Sequence, residues 1–202
     1  MAKEGVDDWY KVPSFDAGEA PRRSTSSLGA SEVLRVDRDV VEQQIREAFR
    51  GVTLGGGVSL CQAQVADRYG EGFTAEQLSV LVHPEITDDW SRVPFSDLDS
   101  DCIAHLDAEG LRYYLAPLML SVLERYERGS MRVIGTIGAL DPRDAYNGSR
   151  FKLFNEAQRR AVAAFLGALP QLVALWAEDA KLVARSLNTY WGQYATGSRD
   201  GP

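Results

Sequence analysis

His105-Leu106-Asp107-Ala108-Glu109-Gly110-Leu111-Arg112-Tyr113-Tyr114-Leu115-Ala116-Pro117-Leu118-Met119-Leu120-Ser121-Val122-Leu123 is the stretch that decides the fold. Asp107 can cap a helix, and Leu111, Tyr114, Leu115, Leu118, Val122 and Tyr126 follow it at helical spacing as one apolar stripe. Pro117 lies inside this run, removes a backbone donor and predicts a kink near Tyr113 or Tyr114. The front of the same helix is crowded with an arginine, two tyrosines and two carboxylates, a mixture that suits either a site or a polar junction.

Moving towards the N-terminus, residues 85–102 hold Pro94 and few periodic positions, which predicts loops with one short turn near 95–98. Before them, Thr74 with Gln77 and Ser59 with Gln62 are capping-box pairs, predicting helices over 75–82 (closed by Pro84) and 60–69 (closed by Gly70). Val41, Ile45, Ala48 and Phe49 keep the helical period after a cap at Asp37. Gly55-Gly56-Gly57 reads as a flexible hinge, because no Gly-Lys-Ser/Thr follows as a phosphate loop requires. Residues 1–35 carry Pro13, Pro21 and the run Arg23-Ser24-Thr25-Ser26-Ser27 without an apolar period, which predicts a mobile tail.

Moving towards the C-terminus, residues 131–140 mix β-branched residues with two glycines, and a single strand there would lack a partner; a short helix or irregular segment is expected. Asn155 with Gln158 opens a helix that Pro170 should stop. Leu172, Leu175, Trp176, Leu182, Val183, Leu187 and Tyr190 predict one last helix of about five turns. The fold expected is mainly α: a compact multi-helix domain of six or seven helices with a Pro-kinked central helix, spanning 36–192 between tails at 1–35 and 193–202.

Composition narrows function by exclusion. The 202 residues are 45% hydrophobic and 25% charged, which is ordinary for a globular chain. No run of about 18 apolar residues predicts a membrane span, and no signal-peptide pattern opens the chain. Cys61 and Cys102 lack C-x-x-C spacing and read as thiols of a reducing cytoplasm. Residues 36–128 hold eight bases and 17 acids, whereas 129–202 hold nine bases and six acids. Within the acidic block, residues 85–109 contain eight acids against Arg92 alone, a field that repels nucleic acid and favours a basic protein partner or a cation. The same charge also serves as a solvated face.

Few groups suit catalysis, and neither a catalytic residue nor a cofactor is assigned. The two histidines are His83 and His105, and no nucleophile elbow occurs. His105, Asp107 and Glu109 alternate as metal ligands would on an extended strand, which would support a metal-dependent hydrolase. Asp107 and Glu109 equally fit the cap and first turn of a helix, where the dipole stabilises acids, and that reading needs no ligand. Asp97, Asp99 and Asp101 alternate like half a calcium loop but lack its glycine and glutamate. Arg112 is expected to pair with an acid from 85–101 and pin that loop to the helix; with Trp90 and Tyr113 it would otherwise anchor a partner.

Several pieces resemble a family of small bacterial proteins classed only as a domain of unknown function. They are Gly57-Val-Ser-Leu-Cys-Gln-Ala to Asp67-Arg-Tyr-Gly70, Asp89-Trp90 to Pro94, Leu106-Asp-Ala-Glu-Gly-Leu-Arg-Tyr-Tyr-Leu115, and Phe151 to Gln158 with Ala161-Val-Ala-Ala-Phe-Leu166. Together they span about residues 38–169, leaving out the first 35 residues and the last helix. In that family's pattern proline often follows the tyrosine-leucine pair directly, whereas Ala116 intervenes here. The resemblance implies a compact, cytoplasmic, helical domain and no established activity. The expectation is therefore a non-enzymatic protein-binding module, for instance an acidic inhibitor or immunity-type protein, binding a basic partner through Trp90, Asp97, Asp99, Asp101, Glu109, Arg112 and Tyr113. A hydrolase using His105, Asp107 and Glu109 is the alternative.

Overall fold

The structure is a computed structural model, and it describes residues 36–69, 74, 76–77, 85–98, 101–143 and 145–195. Among these are seven α-helices and no strand: α1 (Arg38–Ala48), α2 (Leu60–Tyr69), α3 (Ala108–Glu124), α4 (Met131–Ala139), α5 (Ala145–Arg150), α6 (Glu156–Leu172) and α7 (Ala177–Thr189). Short 3-10 turns at Trp90–Arg92, Phe95–Leu98, Asp101–His105, Phe151–Leu153 and Trp191–Tyr194 join them. The fold is thus the mainly α, multi-helix domain expected. The described residues all belong to the unit Arg35–Pro202.

The capping residues read from sequence start the helices they were assigned. Asp107 Oδ1 accepts from Gly110 N at 2.8 Å, and Asn155 and Gln158 form a reciprocal capping box. Ser59 and Gln62 do the same at α2, and Thr74 and Gln77 exchange both bonds, although most of the helix expected after them lies outside the described residues. Ser130 caps α4 and settles 131–139 as a helix.

α3 is the centre of the fold. It is buried on nearly every side from Gly110 to Leu123, with Arg112 the half-buried exception, and α1, α4, α5 and α6 pack around it. A helix so placed must be apolar all round rather than along one stripe. It continues through Pro117.

Donors from distant side chains finish the helix ends. Trp90 Nε1 donates to Phe49 O of α1 at 2.7 Å, and Trp191 Nε1 to Leu140 O of α4 at 2.8 Å. Arg132 reaches Arg125 O at the end of α3, while Arg38 reaches both Leu123 O of α3 and Leu172 O of α6. Terminal carbonyls have no partner within the helix, and these donors give them one; Phe49 O also accepts from Val52 N at 3.1 Å.

Three expectations are corrected. Pro170 does not stop α6, which runs to Leu172; near a C-terminus the missing N–H costs one bond only. The last helix is shorter than its period implied, because 173–176 leave the helix and Trp176 is extended, so Leu172, Leu175 and Trp176 lie outside α7. Gly57, read as part of a flexible hinge, is a packed contact, whereas Gly55 and Gly56 are exposed. A Cβ on Gly57 would stand 2.6 Å from Gly110 N, and one on Gly110 would stand 2.3 Å from Val58 O. The glycines let two backbones touch at the start of α3.

Candidate functional site

Residues 85–98 run along the N-terminal half of α3, and that helix's tyrosines hold them there. Tyr113 Oη donates to Ile86 O at 2.6 Å, and Tyr114 Oη to Glu85 Oε1 at 3.3 Å. Cys61 N of α2 donates to the same carboxylate oxygen at 3.2 Å, and Leu54 N to Thr87 O at 2.8 Å. Arg112 does not pin the segment. No ion pair joins it to a described acid, and its Nε is buried without a hydrogen-bond partner. Successive helical residues point about 100° apart, so the face that meets this segment belongs to the tyrosines.

The acidic surroundings mark both phenols. Burial first, then the charges of Asp88, Asp89 and Glu85, push the Tyr113 hydroxyl up to about 12. Burial and then Glu85 raise Tyr114 further still. Both are neutral donors at physiological pH. Asp89 accepts from the Ser91 side chain at 2.7 Å and from its backbone at 3.0 Å, and these bonds hold its carboxyl below the usual range.

The residues assigned to partner binding separate into two groups. Trp90 and Tyr113 are buried, with their polar atoms spent on Phe49 O and Ile86 O, so neither presents an exposed anchor. Glu109 and Arg112 are half-buried, Asp97 and Asp101 are exposed, and Asp99 lies outside the described residues. Asp88 is also exposed, 3.6 Å from Arg92 in a loose surface pair.

His105, Asp107 and Glu109 do not converge. His105 Nε2 lies 3.1 Å from Asp67 Oδ1 on α2. Asp107 Oδ1 caps α3 and also accepts from Val58 N at 2.9 Å. Glu109 leans over the glycine turn, its Oε2 3.7 Å from where a Cβ on Gly55 would stand. The alternation belonged to a strand, and the chain here passes from a 3-10 turn into a helix. Another group, Asp67, Asp101 and Cys102, has donor atoms within 4.8 Å of one another and is the set that could approach a metal. Two of its members are exposed carboxylates, and the Cys102 thiol donates to Asp101 Oδ1 at 3.3 Å.

A cavity of about 200 Å³ opens where 85–97 crosses α2 and α3, lined by Leu60, Glu85, Ile86, Val93, Pro94, Asp97 and Tyr114. Sequence reasoning passed over Glu85 and Tyr114 as a pair. Their signals were slight: the first acid of the run and the second of two adjacent tyrosines.

Residues 37–195 match the model of a family described as Family of unknown function (DUF6714). The chain belongs to this family. The DUF6714 match takes in α7 and the Trp191–Tyr194 turn, which the resemblance over 38–169 had left out, and it leaves out the first 36 residues. Against curated proteins and against solved structures, nothing matches. Family membership therefore assigns no activity, and functional argument rests on the geometry. Among the described residues no helix is long and apolar enough to cross a membrane.

Proposed function

We propose that the chain is a non-enzymatic binding module whose acidic face docks a basic protein, in the manner of an inhibitor or immunity-type protein. The observation that carries this reading is the exposure of Asp88 just before the Trp90–Arg92 turn and of Asp97 and Asp101 on the next two, with Arg92 the one cation among the described residues of 85–105 besides a histidine. The buried Trp90, Tyr113 and Tyr114 serve as the frame that holds those turns in place. Opposite charges across such a face would steer association and make it fast and salt-sensitive.

The test is capture of partners by the tagged full chain at low salt and at about 0.5 M salt, where the Debye length falls to a few ångströms. The wild type should retain a basic protein at low salt and release it at high salt, and Asp97→Asn with Asp101→Asn should lower retention at low salt. A complex indifferent to both salt and the double substitution would refute the reading.

A further inference from the structure

We propose that the cavity between α2, residues 85–97 and α3 binds an organic cation, an alkylammonium or alkylguanidinium group on a short aliphatic chain. Among the described residues its polar lining is two carboxylates, Glu85 and Asp97, and the Tyr114 hydroxyl, with no basic side chain. That set rejects anions and offers acceptors to an N–H-bearing cation. Leu60, Val93 and Pro94 supply apolar wall, against which methylenes pack without losing hydrogen bonds.

Glu85 gives the argument its direction. Its Oε1 takes two donors, Cys61 N–H and the Tyr114 hydroxyl, at 3.2 and 3.3 Å. Its Oε2 is shielded from solvent and has no donor at all. A carboxylate is an acceptor with room for about four hydrogen bonds, and leaving a buried polar atom unpaired is costly. Among the described residues none donates to Oε2, so Glu85 stands at the cavity wall with a carboxylate only partly compensated, and a cation held in the cavity would offset that charge at short range. Tyr114, kept protonated by burial and by Glu85, donates to Glu85 and so holds that carboxylate at the cavity wall.

Size narrows the class. A space of about 200 Å³ holds on the order of seven waters and falls below the range of drug-sized pockets. One amine or guanidine with three or four methylenes fits it, whereas a nucleotide does not, and a sugar would leave hydroxyls unpaired against Leu60, Val93 and Pro94. A bare divalent ion would leave the apolar wall of Leu60, Val93 and Pro94 unused, whereas an alkyl chain packs on it. The cavity shares Asp97 with the acidic face, and a free amine and a partner's lysine or arginine carry the same group, so the titration uses both sources.

The experiment is a titration of the isotope-labelled full chain, followed by amide chemical shifts, with n-butylguanidinium, n-butylammonium, the neutral n-butylurea and a blocked arginine (N-acetyl, N-methylamide). A fragment of about eight heavy atoms is expected to bind with Kd of about 1 mM. Saturable shifts at Cys61, Ile86 and Tyr114 are expected with the cations, and roughly tenfold weaker binding with butylurea. Glu85→Gln preserves shape and an acceptor for Cys61 N, and should weaken cation binding at least about tenfold. Asp97→Asn, at an exposed position, gives an independent reading should the Glu85 variant fail to fold. Blocked arginine binding as well as the free cations would identify a protein side chain as the source. Binding of the free cations alone would identify a small amine. Equal affinity for butylurea, cation affinity unchanged by Asp97→Asn and by a folded Glu85→Gln, or no saturable shifts would overturn the proposal.

Discussion

Replacing Asp107 by alanine tests how the acidic segment is joined to the central helix. One carboxylate oxygen accepts from two backbone donors, Gly110 N at 2.8 Å and Val58 N at 2.9 Å. The first bond caps α3, and loss of a cap costs about 1 kcal/mol. The second holds the glycine strap against the helix, and a hydrogen bond to a charged acceptor contributes about 1.5–3 kcal/mol. Discounting the second for its half-buried setting, Asp107→Ala should destabilise by about 2–3 kcal/mol. In a domain of this size that is a fall in Tm of roughly 4–12 °C. Asp107→Asn keeps the acceptor and loses the charge at the helix N-terminus, a cost of about 0.3–1 kcal/mol. Urea denaturation followed by circular dichroism measures both, with and without a chelator. The reasoning is refuted if Asp107→Ala lies within about 0.5 kcal/mol of wild type, or if asparagine costs as much as alanine. A chelator-dependent difference between the variants would bring Asp107 back as a metal ligand.

Three further outcomes are expected. Gly110→Ala should destabilise by about 1–3 kcal/mol or more, since its Cβ would meet the Val58 carbonyl at 2.3 Å; unchanged stability in the same denaturation assay would disprove the close contact. Tyr113→Phe should cost about 1–2 kcal/mol at neutral pH by leaving Ile86 O unpaired. Because the folded-state pKa of Tyr113 is raised to about 12, its stabilisation is full below the unfolded value near 10 and is lost as pH climbs through 12; denaturation at pH 8 and pH 11.5 should show the gap to Tyr113→Phe closing, and a constant gap would contradict it. Asp141 works with the opposite sign. Burial alone would raise its pKa, but hydrogen bonds from the Arg143 backbone and from the Arg185 and Arg143 side chains hold it below the usual range. Its stabilisation is therefore present above about pH 4 and lost as pH falls through the lowered value, so Asp141→Asn should lose its disadvantage in strong acid.

The helix starts were legible because caps are local chemistry. Asp107 with Gly110, Ser59 with Gln62 and Asn155 with Gln158 are each three residues apart, and side chains that near can meet only a few backbone groups. The end of α6 and the break before α7 were less legible. Leu172, Leu175 and Trp176 keep the helical period whether or not the backbone does, and Trp176 instead stacks under Arg128 with its N–H bonded to Tyr126 Oη. A period records which side chains face the core and not how the chain turns between them.

The candidate site divides in the same way. Sequence alone determined the helical class, the N-termini of α1, α2, α3 and α6, the acidic character of 85–109 and the central place of α3, because composition, spacing and net charge depend only on residues near one another in the chain. Tertiary structure decided which of two adjacent tyrosines reaches Ile86 and which Glu85, that Trp90 and Tyr113 are frame instead of surface, and that Arg112 pairs with none of the described acids. It also brought Gly57 and Gly110 into backbone contact and placed Glu85, with one oxygen lacking a donor, in the wall of a cavity. Those outcomes rest on contacts such as Asp107 with Val58, 49 residues apart, and Tyr114 with Glu85, 29 apart. Their geometry exists only after the helices have packed, because a carboxylate or hydroxyl takes whichever partner packing brings within about 3 Å.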